Sequence, residues 1–118
     1  NFIDDVYAIA DMLTSQSDVK LLTEKDYIKN PKPNGYRSLH LAIAIPVYLL
    51  DGCEEVIVEV QIRTVAMDFW ASLEHQVKYK KDIKDAENIV YELRACADVI
   101  NRTDFHMQAI RDNIVEID

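Results

Sequence analysis

Two runs decide the fold: Ser38–Leu39–His40–Leu41–Ala42–Ile43–Ala44–Ile45 and, a little further on, Glu55–Val56–Ile57–Val58–Glu59–Val60–Gln61–Ile62–Arg63. Successive side chains of a strand point to opposite faces, so each run divides into two sets. In the first, Leu39, Leu41, Ile43 and Ile45 share one face and Ser38, His40, Ala42 and Ala44 the other, with Tyr36 at its leading edge. In the second, Val56, Val58, Val60 and Ile62 oppose Ile57, Glu59, Gln61 and Arg63. The nine residues between them (46–54) contain the turn pair Asp51–Gly52, which predicts antiparallel neighbours. Pairing of this kind gathers Tyr36, His40, Glu59, Gln61 and Arg63 on one sheet face. That face is too polar to be a core and too clustered to be accidental.

Helical periodicity surrounds this sheet. Phe2, Val6, Ile9, Ala10 and Leu13 predict a helix over 4–14, with Asp4 and Asp5 favourable at its start and Thr14–Ser15–Gln16–Ser17 ending it. A short strand is expected over 19–23, then a loop punctuated by Asn30–Pro31, Pro33 and Asn34–Gly35. Thr64 fits an N-cap. Behind it Val65, Phe69, Leu73 and Val77 recur every four residues, widened by Ala66 and Trp70. That helix is expected to end near Tyr79, where Lys78, Lys80 and Lys81 complement the dipole. A long amphipathic helix is predicted from Asp85 to about Ile114. Its two apolar series, Leu93, Ile100, Met107, Ile114 and Ile89, Cys96, Thr103, Ile110, Ile117, interleave as heptads. Such a helix either packs along its own domain or forms an oligomer seam.

Composition bounds the rest. The chain has 118 residues, 49% of them apolar, with 2 Gly and 3 Pro, which suits one α+β domain over 1–118 and excludes disorder and collagen-like structure. No run approaches the ~20 apolar residues of a membrane span. A formal charge of −8 argues against DNA as a partner and requires any anion site to be local. Cys53 and Cys96 form neither a metal spacing nor a disulfide framework, which fits a reduced, cytoplasmic protein. The chain starts at Asn1 without a Met and reads as though it lacks its N-terminal part.

A local anion site is available. No Asp or Glu occurs from Tyr27 to Leu50, while Lys29, Lys32, Arg37 and His40 do. Phosphate suits such a stretch, and Tyr36 within it can stack on a base. Glu59 lies mid-strand between valines, where a charge is costly unless it holds Mg²⁺, orients a hydroxyl, or pairs with Arg63 at the surface. Asp68 and Glu74–His75 invite a metal reading, but His75 has no companion at zinc spacing.

These residues also carry a resemblance. Lys32–Pro33–Asn34–Gly35–Tyr36–Arg37–Ser38–Leu39–His40, then Val58–Glu59–Val60–Gln61–Ile62–Arg63–Thr64, resembles the alarmone synthetase domain of RelA/SpoT-type enzymes. Ala66–Met67–Asp68–Phe69–Trp70–Ala71–Ser72–Leu73–Glu74–His75 with Tyr79–Lys80 is similar to the small single-domain synthetases in particular. The resemblance runs from about Asp26 to Asp82. It implies a mixed β-sheet flanked by helices, nucleotidyltransferase-like, and transfer of the β,γ-pyrophosphate of ATP to the 3′-hydroxyl of GDP or GTP to give (p)ppGpp. It implies Glu59 as the catalytic carboxylate and a ligand of Mg²⁺, shared with an Asp on an earlier strand that would precede Phe2. Tyr36 would stack on guanine. Lys32, Asn34, Arg37, His40 and Gln61 would bind the guanosine nucleotide, with Asp68 and Glu74 near the guanine edge. A homo-oligomer is expected, with synthesis and no hydrolysis, since no His-Asp pair is adjacent in the chain. The alternative is a catalytically incomplete guanine-nucleotide-binding or oligomerisation module.

Overall fold

The computed structural model describes residues 2–79 and 86–117. Its elements run α1 (Ile3–Thr14), β1 (Lys20–Asp26), β2 (Leu39–Leu49), β3 (Gly52–Ile62), α2 (Val65–Tyr79) and α3 (Ala86–Ile117). The sheet has the order β1-β2-β3. Both strand pairs are antiparallel, so the sheet expected to be mixed has no parallel pair among the described residues.

The β2–β3 register sets everything that follows. Leu39 lies opposite Ile62, Leu41 opposite Val60 and Ile43 opposite Val58, while His40 faces Gln61 and Ala42 faces Glu59. The alternation read from the sequence therefore places one apolar and one polar face. The nine-residue connection shrinks to a two-residue turn, because Leu49 already pairs with Gly52 at the hairpin end. Gly52 sits at φ 139°, open to glycine and strained for other residues. β1 runs on to Asp26, beyond the expected Thr23, with a register shift between Leu21 and Thr23. Asp26 ends it: its carboxylate accepts from the amides of Ile28 (2.9 Å) and Lys29 (3.0 Å) and from the Tyr7 hydroxyl (2.7 Å).

Leu39, Leu41 and Ile43 pack with Ile3, Val6 and Ala10 of α1, Ile28 and Met67. α1 buries Ile3, Val6 and Ala10, one stripe of a 3.6-residue period. At its end the Thr14 hydroxyl donates to the Ala10 carbonyl (2.8 Å) and Ser15 to Met12 (2.9 Å), satisfying carbonyls the helix leaves open.

Thr64 caps α2 as expected, its Oγ1 accepting from the Met67 amide at 3.2 Å. The α2 stripe is used differently from the reading. Met67 and Trp70 are buried, whereas Val65, Phe69 and Leu73 are exposed. Phe69, Trp70 and Leu73 instead border an apolar groove of about 370 Å³ with Leu93, Cys96, Val99 and Ile100 of α3. On α3 Leu93, Ala97, Asp104 and Gln108 are buried, with Ile89 and Ile100 packed beside Leu93, so the heptad series turns inward in the first half of the helix and not in the second. Polar bonds replace apolar packing in its second half: the Asp4 amide donates to Gln108 (2.9 Å) and Arg111 pairs with Asp5 (2.9 Å). Met107, Ile110 and Ile114 are exposed. Lys80, Lys81, Asp82 and the helix start at Asp85 lie outside the described residues, as does the side chain of Ile117.

Candidate active site

The polar face of the sheet forms a shallow cleft of about 110 Å³ bordered by Thr23, Lys25, His40, Ala42, Glu59 and Gln61. Each member follows from register: Lys25 is opposite His40, and His40 opposite Gln61, so the three cross the sheet in one row. Glu59 lies in the next row, opposite Ala42, whose small side chain leaves the carboxylate room. Glu59 does not pair with Arg63, which lies four residues on, just past the end of β3. The Arg63 Nε is instead 3.1 Å from the Asp68 carboxylate, and its Nη1 donates to the Tyr36 hydroxyl at 3.1 Å.

A second cleft, about 500 Å³, adjoins the first through Gln61 and is bordered by Tyr36, Arg63, Ala71, Ser72, Glu74 and His75. Tyr36 stands between the two. Its loop is a tight turn in which Gly35 donates to the Lys32 carbonyl (2.8 Å) and the Tyr36 amide to the Asn34 side chain (3.0 Å). The Tyr36 hydroxyl donates to Gln61 Oε1 (3.3 Å) and lies 3.2 Å from His40 Nε2. A neutral His40 carrying its proton on Nε2 satisfies this network together with the Arg63 bond. Its electrostatics agree. Burial, then the charges of Lys32 and Arg63, push the His40 pKa below its ordinary value against the pull of Glu59.

Lys32 Nζ lies 4.9 Å from the Tyr27 ring centre and 5.3 Å from that of Tyr36, within cation–π range. Tyr27 packs edge-on to both Tyr36 and His40. Asn34 Nδ2 approaches Glu74 Oε1 at 3.5 Å, joining the loop to α2. Glu74 also pairs with Lys78 at 3.0 Å.

The structure thus brings together Lys32, Asn34, Tyr36, His40, Glu59, Gln61 and Glu74. Asp68 stands at the rim as the partner of Arg63. Arg37 does not join them: only 6% exposed, it turns to α3, where Nη1 donates to the Ala97 carbonyl and Nη2 lies 3.6 Å from Asp98. Consecutive residues of an extended segment point to opposite sides, so Tyr36 and Arg37 cannot serve the same face. Thr23, Lys25 and Tyr27 were missed. Alternation would have found Lys25 had β1 been read through to Asp26. Among the described residues no group of three or more His, Cys, Asp or Glu is placed to hold a metal ion.

Cations, an aromatic ring and one carboxylate converging on a sheet face define an α+β domain with the means to bind an anionic, ring-bearing ligand. The chain belongs to the RelA/SpoT family: a family model described as a region found in RelA / SpoT proteins matches residues 1–84. GTP pyrophosphokinase YwaC of Bacillus subtilis is 44% identical over 114 residues, 97% of this chain and 54% of the relative. The crystal structure of the small alarmone synthetase 2 from Bacillus subtilis superposes with a TM-score of 0.88 at 44% identity, over 96% of this chain and 61% of that one. The small alarmone synthetase 1 from the same organism, bound to its product pppGpp, does so at 0.86 and 35%, over 98% and 59%. The chain spans about half the length of the curated relatives it matches.

Proposed function

We propose that this chain forms the guanosine-nucleotide side of an ATP:GDP/GTP 3′-pyrophosphotransferase that makes (p)ppGpp. One observation carries the reading: Glu59 stands in the row beside Lys25, His40 and Gln61, with the Tyr36 ring at the edge of the same face. The second cleft, with Glu74 on its wall, has room for a base stacked on Tyr36. Lys32 and Lys25 offset phosphate charge, and neutral His40 and Gln61 supply hydrogen-bonding groups without adding charge.

In the reaction the 3′-oxygen attacks the β-phosphorus of ATP, the bond from that phosphorus to the α-phosphate bridging oxygen breaks, and AMP leaves. Glu59 accepts a hydrogen bond from the 3′-hydroxyl, aligns it, and takes its proton as the new bond forms. Mg²⁺ commonly takes one or two carboxylates along with waters and substrate phosphates, so Glu59 fits as one ligand and a second carboxylate is expected from an upstream Asp. Bound there, the ion would neutralise charge on the transferred pyrophosphate.

Glu59→Gln is the direct test. It keeps size and polarity and removes the base, so turnover should fall by about 10²–10⁴ or more. GDP affinity, measured by calorimetry, should stay within about threefold, since the carboxylate contributes to alignment more than to binding. A variant that keeps turnover, or that loses GDP binding in parallel, overturns the role given to Glu59.

The outward side of α3 supports a homo-oligomer within the same proposal. Cys96, Val99, Thr103, Met107, Ile110 and Ile114 succeed one another at three- and four-residue steps, and all are exposed. Sedimentation of the intact protein with Ile110→Asp and Ile114→Asp should show a smaller assembly; an unchanged mass removes the seam. We also assign the protein to the cytoplasm, consistent with two exposed free thiols, Cys53 and Cys96, and no described helix long and apolar enough to cross a membrane.

A further inference from the structure

The loop that carries Asn34 and Tyr36 is seated on α3. Gly35 is buried at φ 98°, and a Cβ built on it would lie 2.7 Å from the Cβ of Ala97 and 3.6 Å from the Trp70 ring. Ala97 is itself 1% exposed. Only about 10 Å³ remains open where Gly35, Arg37, Met67, Trp70, Ala97 and Ile100 meet. The next residue but one, Arg37, locks the same spot through the Ala97 carbonyl and Asp98. Two turns further along α3, Asp104 accepts from the Thr64 hydroxyl at 2.8 Å. Thr64 follows Arg63 directly, so this bond anchors the end of the strand that presents Gln61 and Arg63. α3 therefore holds both walls of the larger cleft: the Tyr36 loop at Ala97–Asp98 and the β3–α2 junction at Asp104.

We infer that Ala97 and Arg37 are positioning residues for the guanosine nucleotide, setting the height of the Tyr36 ring above the cleft from behind. Arg37 does this through α3 and binds no phosphate. The inference rests on the guanosine reading above. Its physical basis is the packing: a glycine pressed on an alanine leaves no slack, so one added methyl group displaces the turn. A phosphate reaching Arg37 would have to pull a buried guanidinium from its carbonyl and carboxylate partners.

The test uses the intact protein, with dissociation constants for GMP, GDP and GTP and for a non-hydrolysable ATP analogue, and circular dichroism to confirm folding. Wild type is titrated first; if it binds no guanosine nucleotide, the functional reading itself falls, before any variant is made. Ala97→Val should weaken GMP, GDP and GTP by a common factor of about tenfold, the size expected from modest overpacking, and leave the ATP analogue within about twofold. Arg37→Lys should act in the same way, because it keeps the charge and loses the planar fork. If Ala97→Val does not fold, Ala97→Gly, which removes the wall without crowding, serves in its place beside Arg37→Lys. Unchanged guanosine affinity in folded variants overturns the inference. A loss in Arg37→Lys that grows from GMP to GTP also overturns it, since that pattern belongs to a direct phosphate ligand.

Discussion

Replacing Tyr36 by phenylalanine separates the two roles of this residue, one in the fold and one in binding. Its hydroxyl lies within bonding distance of Arg63 (3.1 Å), His40 (3.2 Å) and Gln61 (3.3 Å). Neutral hydrogen bonds contribute about 0.5–1.5 kcal/mol each and one to a charged group about 1.5–3 kcal/mol, so three bonds give a gross figure of roughly 2.5–6 kcal/mol. The net is smaller. Gln61 is exposed, Arg63 keeps Asp68, and water can enter the open cleft to replace part of what is lost. Tyr36→Phe should therefore cost about 1–2 kcal/mol in denaturant unfolding of the intact protein. The ring remains, so calorimetric GDP affinity should change by less than about threefold, while Tyr36→Ala removes stacking of about 1–3 kcal/mol and weakens GDP by roughly 5- to 150-fold. Equal affinity losses in the two variants would refute stacking as the source of binding. No stability loss in Tyr36→Phe would refute the hydroxyl network.

Two further outcomes follow from buried and titratable groups. Thr64→Val deletes both the α2 cap and the partner of Asp104, which is 2% exposed; about 2–4 kcal/mol of stability should be lost. Burial already pushes the Asp104 carboxyl up while the Thr64 bond pulls it down, so the variant raises it further. A raised carboxyl destabilises when ionised, so the deficit at neutral pH should shrink as pH falls through the carboxylate range; a pH-independent deficit would count against the pair. For His40 the depressed pKa means that stability declines as pH drops below the ordinary 6.5 and the unfolded chain takes up the proton first. Proton NMR should place its midpoint under that value; one at or above it contradicts the dominance of burial and the Lys32 and Arg63 charges over Glu59.

Strand and helix positions were legible from periodicity alone. Leu39, Leu41 and Ile43 against His40 and Ala42 announced a two-faced strand, and Thr64 announced the start of α2. The polar face, with Glu59, Gln61, His40 and Tyr36 together, followed from that alternation once antiparallel pairing was assumed. A period-two pattern carries its own orientation, because moving one residue exchanges the faces. The helix faces were less legible. In the second half of α3 the heptad residues Met107, Ile110 and Ile114 are exposed while Asp104 and Gln108 point in, because which stripe is buried depends on the polar partners α1 and Thr64 present to it, and periodicity carries no record of a partner.

Arg37 shows the same limit within the site. Its charge, its place in an acid-free run and its neighbours all read as a phosphate contact, and the motif supported that reading. Only the packing of the loop on Ala97 turns the guanidinium away from Tyr36 and into α3. Lys25 came in by the opposite route, since β1 continues past its expected end and register with β2 brings the lysine into the His40–Gln61 row. Composition and alternation thus determined the chemistry available and the face that would carry it. Tertiary contact decided which charges reach that face, because a side chain's direction depends on register and on neighbours far away in the chain.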